Sequence, residues 1–212
     1  MLRYIYADQL HNHPKLAVSM FRDRADQFKK RLNWDVDVDA DGLKRDEYDD
    51  LNPLYVIWEK ADGTHGGSMR FLPTTGRFMV NDHFQHLIGG GTVTSPVIWE
   101  CNRFCLTKGA DPKIAAALIL AGGEIMEGFG IEHFVGVFDA RMVRIYRMIG
   151  SFPEVLGSTG NGRDQISVGL WHFAAEAKDK VAAKAGLSPE ISKLWFDRAF
   201  GQKQGLELAK AG

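Results

Sequence analysis

The chain is short of several things that would assign it to a class at once. Lysine and arginine number 26 against 27 aspartates and glutamates, so the net charge is −1. Broad electrostatic binding of nucleic acid needs a basic face and is not expected. No apolar run approaches the roughly 18 residues of a membrane-spanning helix, so no membrane insertion is expected. No N-terminal stretch joins a basic start, an apolar run and a small-residue cleavage site, so no leader is expected. Cysteine is scarce: Cys101 and Cys105 are the only two. On one extended strand they would share a face yet lie too far apart to bridge, which predicts reduced thiols in the core or lining a site of a cytoplasmic protein. Internal repeats and low-complexity tracts are also missing.

What remains is an ordinary globular composition, 45% hydrophobic and 25% charged over 212 residues. That length supports one domain over 1–212 with a full core, residues 172–212 forming a C-terminal helical extension. Leu2–Ala7 alternates as a strand. From Lys15 to about Leu32 the period is helical, with Phe21, Ala25, Phe28 and Leu32 as the apolar stripe. Arg24 and Arg31 lie at its margin, where the ordinary reading is a snorkelling surface arginine. A run of aspartates from Asp35 to Asp41 follows, then Asp46, Glu47, Asp49 and Asp50. The glycine and terminal glutamate of a calcium loop are not at the required offsets, so a solvated acidic loop is expected and no metal site.

Leu54–Glu59 is a strand, and residues 61–67 turn it into Ser68–Leu72 as a hairpin. Residues 73–91 read as a loop with apolar islands at 78–80 and 84–88. Val97–Cys105 is a further strand. Asp111–Pro112 caps a helix running to about Gly128. His133–Phe138 is a strand, Asp139 a cap, and Ala140–Ile149 a short helix closed by Gly150. Gln165–Trp171 is the last expected strand, and two helices close the chain, the second started by Ser188–Pro189–Glu190. The order β–α–β–β–β–α–β–α–β implies an α/β (α+β) sandwich, a mixed central sheet flanked by helices. It is compatible with an acyltransferase layout in which a cofactor arm enters between two splayed strands.

The strand at 97–105 carries Glu100 and Arg103 within an otherwise apolar segment. A charge buried there needs a partner, because the penalty is on the order of several kcal/mol per ion. An ion pair within the sheet is the simplest outcome. Side chains alternate along a strand, however, so 100 and 103 face opposite ways unless a β-bulge intervenes.

Four separated blocks resemble the acyl-homoserine-lactone synthase (autoinducer synthase) family. They are Arg24-x-x-x-Phe28-x-x-Arg31-x-x-Trp34, Asp46–Glu47–Tyr48–Asp49, Met69–Arg70–Phe71–Leu72–Pro73–Thr74–Thr75–Gly76, and Trp99–Glu100–Cys101–Asn102–Arg103–Phe104. Each is weak alone; four in order form a specific signal, and a looser likeness continues to about Trp171. The resemblance implies a GNAT-like acyltransferase sandwich with an acyl-binding cleft. It implies an enzyme that joins the amine of S-adenosylmethionine to an acyl chain from a thioester, on acyl carrier protein or coenzyme A. The enzyme then closes the lactone, releases methylthioadenosine and so makes a quorum-sensing signal. No cofactor is implied, since S-adenosylmethionine is a substrate.

By the same resemblance the catalytic set is Glu100, Arg103, Arg70, Asp46 and Asp49, with Glu100 as the base that frees the amine. S-adenosylmethionine falls to Arg24, Phe28, Arg31, Trp34 and Arg103. The acyl donor falls to Phe104, Cys105 and the ridge Arg141, Arg144, Arg147, which an acidic carrier protein could meet. Of the two geometries, the one expected has Glu100 facing the ligand and Arg103 bracing the acidic segment from behind. Val135–Asp139 lacks the threonine that members making 3-oxo products often carry. Two other functions remain open: a GNAT-like N-acyltransferase acting on another amine, and a non-catalytic sensor of S-adenosylmethionine or acyl groups.

Overall fold

The computed structural model describes residues 1–31, 38–172 and 175–210, without the side chains of 30–31 and 202–210. The elements in order are β1 (Leu2–Tyr6), α1 (Pro14–Ala25, continued by a π-helical turn over Asp26–Arg31), β2 (Leu54–Glu59), β3 (His65–Pro73), α2 (Met79–His83), β4 (Ile98–Leu106), α3 (Pro112–Phe129), β5 (His133–Asp139), α4 (Ala140–Ile149), β6 (Glu154–Thr159), β7 (Ile166–His172), α5 (Lys178–Ala185) and α6 (Pro189–Lys210). They build a seven-stranded sheet of order β1-β2-β3-β4-β5-β7-β6. Its described neighbours pair antiparallel except β4 and β5, which are parallel.

The sheet is covered on both faces, which is why β3 is buried along its length up to Leu72. On one face Met69, Phe71 and Phe134 meet Leu118, Ala121 and Ile125 of α3. The closing helices join that layer: Phe196 of α6 lies edge-on to Tyr4 of β1 at 5.4 Å, and Val181 and Ala185 of α5 pack with the alanines of α3. On the other face Leu16, Met20 and Phe21 of α1 pack on Ile5, Tyr55 and Ile57. Asp111 accepts the Lys113 N–H at the start of α3, and Gly130 ends it at φ 65°.

Two features position the site. The parallel strands pair over only three residues, Ile98↔His133, Trp99↔Phe134 and Glu100↔Val135, and part beyond them. At the fork Gly136 lies so close to β4 that a Cβ there would stand 2.4 Å from the Cys101 carbonyl oxygen; only glycine fits. The second feature is a β-bulge in β4. Ser68 pairs with Cys105 but Arg70 with Asn102, so β4 carries one extra residue, and Arg103 takes φ 54°. A non-glycine residue in that left-handed region costs roughly 1–3 kcal/mol, which the surroundings must offset.

The bulge corrects the thiol expectation. Cys101 lies opposite Phe71 and Cys105 opposite Ser68, hence on opposite faces, and neither is in a disulfide. The sequence pattern also misses α2 and the strand β6, whose residues are almost all exposed and so carry no burial alternation.

Candidate active site

Three arginines from three elements converge on two aspartates. Arg24 of α1 reaches Asp49 Oδ1 and Oδ2 at 3.1 and 3.2 Å and Asp46 at 3.5 Å. Arg70 of β3 donates from Nη1 to Asp46 at 2.5 Å and Asp49 at 2.6 Å. Arg103, turned by the bulge, donates to Asp46 Oδ2 from Nε at 2.8 Å and from Nη2 at 2.6 Å. The Tyr55 hydroxyl donates to Asp49 at 2.5 Å. The side chains of Asp46 and Asp49 are only 4% and 6% exposed, so for these two the expected solvated loop is wrong. Burial alone would raise both carboxyls; Arg70, Arg103 and Arg24 outweigh it at Asp46, and Arg24 and Arg70 at Asp49, holding both below the usual range.

Three guanidinium groups against two carboxylates leave the cluster with an excess positive charge. Lys44, buried beside it, adds to the excess; burial and then Arg103 push its ammonium down. Arg24 and Arg70 are sealed at 1% and 0% exposure, whereas the Arg103 side chain is 13% exposed and borders the main cavity. Its guanidinium sits 5.6 Å from the Phe28 ring centroid. An anion could be received there.

Glu100 is not where the sequence geometry puts it. Its carboxylate accepts the Met79 and Val80 N–H groups at 3.2 and 2.9 Å and the Asn102 amide at 2.5 Å, and the residue is fully buried. Asn102 in turn accepts from Arg70 Nε at 2.8 Å, which ties Glu100 to the arginine cluster. Glu100 forms no ion pair with Arg103. The expected arrangement is therefore reversed: Arg103, besides bracing the acidic segment, borders the cavity, and Glu100 stands one residue behind it, screened by Met79 and Asn102. The bulge is the physical reason, since it takes Arg103 out of the alternation. Burial raises the Glu100 carboxyl despite the N–H groups that favour its charge.

The cavity opens at the fork between β4 and β5 and holds about 790 Å³, within the ~300–1,000 Å³ typical of small-molecule sites. Its walls are mainly apolar, including Cys101, Phe104, Met126, Val137, Phe138 and Trp171. Phe104 lines the cavity, whereas Cys105, the other strand residue expected to meet the acyl donor, is fully buried on the other face. Arg141 reaches the cavity while bonded to Asp139 at 2.9 Å. Arg144 and Arg147 are exposed on α4, with Arg147 over the Phe152 ring at 5.7 Å. Trp34 and the side chain of Arg31 lie outside the described residues. Among the described residues no group of histidine, cysteine, aspartate and glutamate is arranged to hold a metal, and no helix is long and apolar enough to cross a membrane.

Pattern reading missed Gln27 and Asn102. The Gln27 amide donates to the Phe104 carbonyl at 3.1 Å and accepts the Leu106 N–H at 3.2 Å, clamping the bulge. A lone glutamine on a helix margin carries no signal of such a contact. Asn102 stood inside a matching block, and its place one strand step from Arg70 emerges only with the register.

Comparison with known proteins bears on the family and the fold. The family model described as autoinducer synthase matches residues 8–181. An acyl-homoserine-lactone synthase of Rhizobium etli is 39% identical over 183 residues, covering 83% of this chain and 86% of that protein. Among solved structures, the CoA-dependent acyl-homoserine lactone synthase BjaI, with SAM and isopentyl-CoA, superposes with a TM-score of 0.78 at 23% identity, over 88% of this chain and 90% of that one. FeeM, an N-acyl amino acid synthase from uncultured soil microbes, shares the GNAT-like fold more distantly, with a TM-score of 0.54 at 10% identity over 84% and 98%. The chain belongs to the autoinducer synthase family.

Proposed function

We propose that this chain acylates S-adenosylmethionine at the cavity edge marked by Arg103 and closes the product to an acyl-homoserine lactone. As a family member it is an acyltransferase, and the reaction needs no further cofactor. The observation that carries the reading is the unequal cluster, with three arginines and two aspartates and one guanidinium turned toward an apolar cavity. A substrate with a carboxylate at one end and a cation near it suits that edge. Arg103 takes the carboxylate through its planar fork, held at the right angle by Asp46. Arg24, Arg70 and Asp49 hold Asp46 and so act as positioning residues. The sulfonium lies against the aromatic face of Phe28, a contact of about 0.5–2 kcal/mol.

The acyl chain of the thioester occupies the apolar cavity, with the carbonyl near the bulge, where Arg103 and Phe104 have no partner in the register of β3. Their backbone N–H groups are the proposed donors to the developing oxyanion. The amine nitrogen attacks the carbonyl carbon, the thiolate leaves, and the amine proton passes to a base. Glu100 is that base, with a pKa raised in the useful direction. Its screening by Met79 and Asn102 requires that Met79 yield when substrate enters. A carboxylate oxygen then attacks the carbon bearing sulfur, the C–S bond breaks, and methylthioadenosine departs; this step depends on orientation. The exposed Arg141, Arg144 and Arg147 suit an acidic carrier protein, with coenzyme A as the other donor.

The test incubates the purified protein with S-adenosylmethionine and a panel of acyl carrier protein and coenzyme A thioesters, with methylthioadenosine followed by mass spectrometry. Lactone and methylthioadenosine in equal amounts are expected. Their absence across the whole panel would contradict the proposal, and acyl-amide formed on another amine without methylthioadenosine would point to a plain N-acyltransferase.

A further inference from the structure

One polar group in the apolar cavity has no task in the chemistry above. Tyr146 lies on α4, lines the cavity and is 7% exposed. Its ring is wedged edge-on between Phe138 at 5.5 Å and Trp171 at 5.2 Å, both also cavity walls. That packing fixes where the hydroxyl points. No described residue hydrogen-bonds that hydroxyl. The phenols of Tyr55 and Tyr48 have partners, donating to Asp49 and Asp82, whereas that of Tyr4, sealed in the core, has none among the described residues.

The hydroxyl is not sealed off but opens onto the cavity, so an apolar chain that fills the cavity and displaces its water leaves the donor unpaired, a cost that a hydrogen-bonding ligand removes. Phenylalanine would fill the same space among these rings without that cost. The phenol also stays protonated, because burial, with Cys101 and Asp139 nearby, pushes it up. It is thus a fixed donor facing whatever fills the cavity. Cys101 lies at the fork of β4 and β5, two residues before Arg103, which places the phenol beside the start of the acyl chain rather than its end.

We propose that Tyr146 is a specificity-determining residue that selects acyl donors carrying an oxygen, as a hydroxyl or an oxo group, within the first few carbons from the thioester. This rests on the synthase reading. A site built around a buried hydrogen-bonding group discriminates against the analogue that leaves it unpaired far more than an apolar wall discriminates by size. A saturated chain strands the phenol; an oxygenated chain satisfies it.

The experiment offers wild-type protein and Tyr146→Phe equal mixtures of unsubstituted, 3-hydroxy and 3-oxo thioesters of one chain length, on acyl carrier protein and on coenzyme A. Lactones are resolved by mass spectrometry and total methylthioadenosine is measured alongside. Wild type is expected to favour one or both oxygenated chains over the unsubstituted one by at least tenfold, and the two oxygenated arms show which group is read. In Tyr146→Phe that ratio should fall at least tenfold. Thermal melting and S-adenosylmethionine binding report whether the variant is folded, and Tyr146→Trp, which restores a donor in a different place, should not restore the wild-type ratio. An unchanged ratio, or an equal slowing with every donor, overturns the role of Tyr146 while methylthioadenosine release leaves the synthase reading standing. No methylthioadenosine from any donor overturns both.

Discussion

Replacing Asp46 by asparagine keeps the side chain's shape and removes the charge that three guanidinium groups share. Arg24, Arg70 and Arg103 all reach this carboxylate, and its side chain is 4% exposed, so solvent cannot compensate. Removing one partner from such a buried network typically costs about 3–5 kcal/mol. For a chain of this size each kcal/mol moves the melting temperature by roughly 2–4 °C, so a drop of about 6–20 °C is expected. Urea unfolding followed by far-ultraviolet circular dichroism and tryptophan fluorescence reads the loss directly, provided the slope is unchanged.

Acid dependence gives a second reading of the same variant. The folded pKa values of Asp46 and Asp49 lie below the ordinary carboxylate range. Their contribution is therefore complete above the unfolded value of about 3.9 and is lost as pH falls below it, because the unfolded chain takes up protons first. Asp46→Asn should show a shallower loss between about pH 4 and 2. A destabilisation under about 1 kcal/mol, the size of an exposed pair, would refute the reasoning.

Three further outcomes follow from the same geometry. Glu100→Gln should lower kcat by about 10²–10⁴-fold with KM for S-adenosylmethionine little changed, as expected of a base. Loss of stability with kcat intact would instead make Glu100 a strut between β4 and α2. Gly122→Leu should shift products to shorter acyl chains, because a Cβ there meets only Phe134 at 3.4 Å and Met69 at 3.9 Å and a longer side chain must enter the cavity; unchanged chain length by mass spectrometry would count against the assignment of the cavity. His65, buried between Asp23 and Ser68 at 2.7 and 2.9 Å, is held below its ordinary value by burial, with Asp23 opposing. Its contribution to stability should be complete above about pH 6.5 and fall as pH drops toward the folded value, and His65→Gln should flatten urea midpoints over that range.

Much of the fold was legible because local rules and tertiary packing agree. Residues 54–59 and 68–72 read as strands from β-branched and aromatic content, and they occupy the sheet's buried middle. Asp111–Pro112 and Asp139 announce the starts of α3 and α4 and do cap them. β6 was invisible because an exposed edge strand with Gly157 has no buried face to impose a period. The site was legible only as matching blocks. Composition says that Asp46 and Asp49 belong in water; what buries them are arginines some 20–60 positions distant in the chain. The bulge at Arg103 leaves no mark either, since the positive φ falls on an arginine, which has no preference for it, and not on the neighbouring Asn102. That single backbone feature decides which of Glu100 and Arg103 meets the ligand.

The measurement that tests this most directly is a ligand–protein double-mutant cycle. S-adenosylmethionine and its decarboxylated analogue are titrated calorimetrically into wild-type protein and Arg103→Met. If Arg103 receives the carboxylate, wild type should prefer S-adenosylmethionine by about 10–100-fold, on the order of the 1.5–3 kcal/mol of a hydrogen bond to a charged group. Arg103→Met should bind the two ligands alike. A preference that survives in Arg103→Met would place the carboxylate elsewhere and contradict the account.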